Sequence, residues 1–93
     1  AAGSASIADS LFRDFLAALP AAMDEIEAAF LAQEWGQLWQ ATHRLQGAAA
    51  TCSLPALQTA LADLARAARQ PASLDVVHAL GVVRHEVDRL TPC

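Results

Sequence analysis

Lysine is absent from the 93 residues, and so is tyrosine. All six cationic side chains are therefore arginines, set against ten acidic ones for a net charge of −4. Phosphate binding needs clustered Lys and Arg, so this balance argues against a nucleic-acid partner. Cysteine is scarce as well: Cys52 and Cys93 stand far apart, with no CxxC or Cys/His spacing. That argues against a disulfide framework and fits a reducing compartment. Cys52 reads as a small buried hydrophobe and Cys93 as a loose end. Long hydrophobic runs are missing too. The longest apolar stretch, Leu16 to Met23, contains Pro20 and falls well short of the roughly 20 residues a membrane span needs. Neither a secretory leader nor direct membrane contact is expected. Compact domains run to about 100–150 residues, so a second domain, a TIM barrel and a dinucleotide fold do not fit.

What the chain has is alanine, about a quarter of all residues, within a 55% hydrophobic composition. Alanine is the best helix former and leucine is close behind, while β-branched and aromatic residues are sparse. An all-α fold follows. Residues 1–5 read as a linker or tail, and residues 6–93 as the domain. Ser6-Ile7-Ala8-Asp9 has the form of a capping box and predicts a helix start. Ile7, Leu11, Phe15 and Leu19 recur at helical spacing up to Pro20, which predicts a break near Leu19 and a second helix over residues 20–33. The stripe of that helix is Met23, Ile26 and Phe30.

The third predicted helix covers residues 34–51. Trp35, Leu38, Thr42, Leu45, Ala49 and Cys52 lie within about 50° of one direction at 100° per residue. Ser53 is the expected N-cap of a fourth helix, with Pro55 in its first turn and Leu54, Leu57, Leu61, Leu64 and Ala68 as its seam. Ser73 is the expected cap of a fifth, striped by Val76, Leu80, Val83, Val87 and Leu90. Short connections favour antiparallel neighbours. The expected architecture is an up-and-down antiparallel four-helix bundle with an additional N-terminal helix across one end.

Three histidines could carry chemistry. His78 and His85 lie seven apart on a charged helix face, roughly 10 Å from each other and too distant for one metal ion. His43 differs. It projects about 120° from the core direction of its helix, at the edge of the bundle. Gly36, Gly47 and Ala50 lie on its side of the helix, with Trp39 and Gln40 before it and Gln46 after. Glycine inside an exposed helix costs about 1 kcal/mol relative to alanine, and this helix carries two beside one histidine. Either the imidazole must stand clear for another protein's reactive group, or it is a surface histidine beside incidental small residues. Spacing alone serves both readings equally.

The run Ala41-Thr42-His43-Arg44-Leu45-Gln46-Gly47-Ala48-Ala49-Ala50 resembles the signature of histidine-containing phosphotransfer (Hpt) domains, H-x-L-[KR]-G followed by small residues. Leu16-Ala17-Ala18-Leu19-Pro20 is similar to that family's Leu-Pro break. Ala32-Gln33-Glu34-Trp35 is similar to the turn before its histidine helix, and Leu57, Leu61 and Leu64 to the leucines after it. The likeness covers nearly the whole chain. It implies that His43 is the phospho-acceptor, and that Gly47 lets a receiver domain come close. Gln46, Arg44, Gln40, Gly36 and Ala50 would complete the docking neighbourhood. The family usually has Lys or Arg where Gln46 stands, glycine where Ser53 stands, and often a polar residue where Ala65 stands. Arg44 is the nearest cation in sequence that could compensate for Gln46.

The same resemblance implies a phosphorelay intermediate that takes a phosphoryl group from a receiver aspartate and passes it to another response regulator. A docking-only module that binds a receiver without phosphotransfer is the alternative. No cofactor is expected in the domain itself, and Mg²⁺ would come with the receiver. No glycine-rich phosphate loop is present, so ATP binding and autonomous kinase activity are not expected. The expected setting is cytoplasmic, as the C-terminal module of an inner-membrane sensor histidine kinase or as a free-standing carrier. A monomer is favoured.

Overall fold

The computed structural model describes residues 2–70 and 75–90, with side chains from Asp9 onward. Four helices account for them: α1 (Ala2–Leu31), α2 (Trp35–Thr51), α3 (Pro55–Ala68) and α4 (Asp75–Leu90). There is no strand among the described residues. Each helix packs on its neighbour in sequence, α1 on α2, α2 on α3 and α3 on α4. Arg84 of α4 also forms an ion pair with Glu27 of α1. All four helices feed one core, in which Leu19, Ile26, Leu38, Leu57, Leu61, Leu64 and Val83 are fully buried. The all-helical bundle is as expected. Helices two to five of the sequence reading correspond to the C-terminal part of α1 and to α2, α3 and α4.

The separate N-terminal helix is not found. The expected helices over residues 6–19 and 20–33 are one continuous helix with Pro20 inside it. Phe15, Leu19, Met23 and Ile26 explain why. They are spaced four, four and three apart and are all buried, so they form one stripe only if the helix runs through. Burying a large apolar side chain stabilises by about 1.5–3 kcal/mol, and four of them outweigh the ~3 kcal/mol cost of an interior proline. Pro20 also sits on the exposed face, where water can reach the carbonyl left without its amide partner. The expected start at Ser6 is likewise overtaken, because the helical backbone is already under way at Ala2. A helix of 30 residues spans about 45 Å at 1.5 Å per residue, which accounts for the 49 Å long axis of the molecule.

Both three-residue turns are built alike. The Glu34 amide donates to Ala29 O at 2.9 Å and the Gln33 amide to Phe30 O at 3.1 Å. In the next turn the Leu54 amide donates to Ala49 O and the Ser53 amide to Ala50 O, each at 3.1 Å. This is the Schellman pattern, which needs a left-handed residue after the helix. Gln33 (φ 57°) and Ser53 (φ 56°) supply it. Ser53 is therefore not the N-cap of α3. That place falls to Leu54, with no side-chain cap, because Ser53 is already committed to closing α2. The family's preference for glycine at this position has a physical reason here, since glycine enters the left-handed region without steric cost. The expected cap at Ser73 lies outside the described residues, as does Cys93.

Further expectations shift in degree: Phe30, Leu54, Leu80 and Leu90 of the expected stripes are only partly buried. Trp35 and Cys52 are half-buried, not core residues. Trp35 meets Phe30 edge-on, with ring centroids 6.2 Å apart. The Cys52 thiol reaches the Leu11 carbonyl at 3.7 Å. Ala79 takes a fully interior place on α4.

Candidate functional site

The site is built on α2. Leu38, Ala41, Thr42, Leu45 and Ala49 face the core, and this pins the helix and fixes which residues point away. His43 is exposed, immediately after the fully buried Thr42. Its ring lies flat on Trp39, one turn earlier, with centroids 4.9 Å apart and planes 6° from parallel. Trp39 in turn packs partly buried against the core. Aromatic pairs of this kind contribute about 0.5–1.5 kcal/mol beyond area burial. The tryptophan thus acts as a fixed platform that covers one face of the imidazole. Among the described residues the ring makes this contact and no hydrogen bond, so both nitrogens stay available to a partner.

Gly36, Gln40, Gly47 and Ala50 are all exposed, and Gln46 is half-buried. A Cβ added at Gly47 or Gly36 would meet nothing within 4 Å. Packing inside the chain therefore does not require glycine at either position. Gly47 O accepts the Thr51 hydroxyl at 3.2 Å, a bond that any residue at 47 could accept.

Charge is arranged otherwise than the sequence suggests. Arg44 is engaged by Glu25 of α1, its Nη1 lying 3.3 Å from each carboxylate oxygen. Both partners are largely exposed, so the pair adds little stability, but it turns the guanidinium toward α1. Ala65 is buried and apolar and offers the imidazole no hydrogen bond. Arg69, at the end of α3, lies over the Trp39 ring with its guanidinium carbon 5.7 Å from the centroid.

Two shallow grooves flank this part of α2. One, toward α1, is lined by Glu25, Ala28, Gln37, Gln40 and Arg44 among others. The second, toward α3, is lined by Trp35, Gly36, Trp39, Gln40, Ala68 and Arg69. Higher on the α1–α2 seam, Leu11, Phe15, Leu45, Ala48 and Cys52 line an apolar groove. Leu11 and Phe12 are exposed large hydrophobics of α1. His78 and His85 are exposed on α4, and among the described residues no three His, Cys, Asp or Glu side chains group as a metal site.

Sequence reasoning placed Trp39 only as a flank of His43, and did not bring Arg69 to the site. The four-residue spacing of Trp39 and His43 is a signal that could have found the stack. Nothing local could have found Arg69, which reaches Trp39 from another helix.

Fold and site together define a class: a small helical bundle that presents an exposed histidine mid-helix, with open space over the glycine one turn further on. A family model for the Hpt domain matches residues 10–91, and the chain belongs to the Hpt domain family. Hpt domains serve phosphotransfer in the phosphorelays of two-component signalling, where they interact with receiver domains. No curated protein and no solved structure matches the chain. No helix among the described residues is long and apolar enough to cross a membrane.

Proposed function

We propose that the domain carries phosphoryl groups on His43, taking them from the aspartyl phosphate of one receiver domain and giving them to the aspartate of another. The observation that carries this reading is an exposed imidazole stacked on Trp39, with open space over Gly47 that no contact within the chain explains.

In the forward step the Nε2 lone pair of neutral His43 attacks phosphorus in line. The N–P bond forms as the acyl O–P bond breaks, and the receiver carboxylate leaves with the electron pair. The imidazole proton remains on Nδ1. Return to a second aspartate reverses these changes. Such transfers pass through a loose transition state, so positioning and electrostatics supply most of the acceleration. Trp39 contributes positioning by fixing the ring plane. Gly47 contributes access. Mg²⁺ and its acidic ligands would be supplied by the receiver, docking on the α1–α2 side around His43, with the exposed apolar residues of α1 adding contact area. We place the domain on the cytoplasmic side of a sensor histidine kinase, as its C-terminal module, or in a free-standing carrier.

A docking-only module is the second reading, and three features of the site favour it. Gln46 is neutral, Arg44 is turned to Glu25, and Ala65 is apolar. One experiment separates the two. The domain is mixed with a phosphorylated receiver and Mg²⁺, and acid-labile, base-stable label is sought on His43. Label on the parent and none on His43→Gln supports the carrier. Binding without label supports docking alone, and label persisting in His43→Gln removes His43 from the mechanism.

A further inference from the structure

Four of the six arginines have carboxylate partners: Arg44 with Glu25, Arg66 with Asp63, Arg84 with Glu27 and Arg89 with Glu86. Arg69 has none among the described residues. Its guanidinium carbon lies over the Trp39 ring, and His43 stacks on the same ring. The two distances put the guanidinium carbon within about 11 Å of the imidazole centre. An arginine side chain has several rotatable bonds, and Arg69 is exposed, so it can swing across much of that gap. The groove it borders, lined by Trp35, Gly36, Trp39, Gln40 and Ala68, contains no acidic residue to hold it back. A cation resting on an aromatic face is held by about 0.5–1 kcal/mol at an exposed site, less than a guanidinium gains from a charge-assisted bond to a phosphoryl oxygen.

We propose that Arg69 is the phosphoryl-binding cation of this domain, parked on Trp39 while His43 is free and moving onto the phosphoryl group once His43 carries it. This rests on His43 being the acceptor. It gives Arg69 the part that a lysine at position 46 would play, supplied from α3 because Gln46 is neutral and Arg44 is taken by Glu25.

The test reads an equilibrium. Labelled phosphoryl is shared between a receiver and the domain with Mg²⁺ present, and the ratio of phosphohistidine to phosphoaspartate is measured together with both rate constants. Arg69→Gln should lower that ratio by about two- to fivefold, the size expected for an exposed charge pair, and the effect should fade at high salt. Arg69→Lys should keep most of the parent ratio, and Gln46→Lys should restore it in the Arg69→Gln background. Thermal melts of each variant check that the bundle is intact. A parent that takes label while Arg69→Gln leaves the ratio unmoved overturns the proposal. Forward and reverse rates falling by equal factors overturn it as well, since that pattern belongs to docking. No label on the parent removes the phosphocarrier reading itself, and the role of Arg69 with it.

Discussion

Gly47 offers a perturbation whose effects on stability and on function should have opposite signs. The residue lies inside α2, its surroundings are exposed, and an added methyl would find open space. Replacing glycine by alanine at an exposed interior helix position gains about 0.8–1 kcal/mol, from reduced backbone freedom in the unfolded chain. For a domain of this length that is about 4–8 °C in Tm. Gly81 of α4 is an internal control. It is also exposed with nothing near its missing Cβ, and it sits on α4, whose main packing is on α3, rather than on the helix that carries His43. Gly81→Ala should therefore raise Tm by a similar amount and leave phosphotransfer alone. Gly47→Ala should raise Tm yet slow transfer from a phosphorylated receiver, and Gly47→Gln should slow it by about 10–100-fold, the scale on which a misplacement of 1 Å is felt. Calorimetry and a timed label-transfer assay give both readings on the same samples. Unimpaired transfer by Gly47→Gln would refute the idea that this space is kept for a partner. A Tm that falls in Gly47→Ala and rises in Gly81→Ala would refute the helix argument.

Three more outcomes follow from the same contacts. Ser53→Gly and Gln33→Gly should each raise stability by about 1 kcal/mol, because a side chain in the left-handed region costs about 1–2 kcal/mol; a lowered urea midpoint in both would contradict the turn geometry. Thr42→Val should also stabilise, since the fully buried Thr42 hydroxyl has no hydrogen-bond partner and such an orphan costs about 1–3 kcal/mol; a loss of more than 1 kcal/mol in chemical denaturation would show that the hydroxyl is satisfied. Trp39→Leu should shift the His43 ring-proton resonances downfield by removing the indole ring current, and should slow phosphotransfer. Unchanged resonances would mean that the rings do not stack in solution.

Much of the bundle is written locally in the chain. The seams of α2, α3 and α4 are spelled by Leu38, Thr42 and Leu45, by Leu57, Leu61 and Leu64, and by Val76, Val83 and Val87, all of which face inward. Helical periodicity reports such faces directly. Pro20 misled because a local rule met a global demand: the stripe from Phe15 to Ile26 has to stay in line, and burial outweighs the proline. Ser53 misled in a different way. Two helix ends compete for one three-residue turn, and polar character alone does not say which end a serine serves. At the site, His43, Gly36 and Gly47 were legible because their spacing lies within one helix. The pairing of Arg44 with Glu25 spans 19 residues, and Arg69 comes from α3 to reach Trp39. Contacts of that reach depend on how the helices are set against each other, which the spacing inside a single helix does not encode.

Because each helix packs on the one before it in sequence, few contacts must wait for distant parts of the chain to meet. Topologies of this kind fold on the microsecond-to-millisecond scale, since little loop-closure entropy stands in the way. A domain diluted out of denaturant should thus recover its bundle within the mixing time of an ordinary stopped-flow instrument, before exposed leucines from separate molecules can find one another.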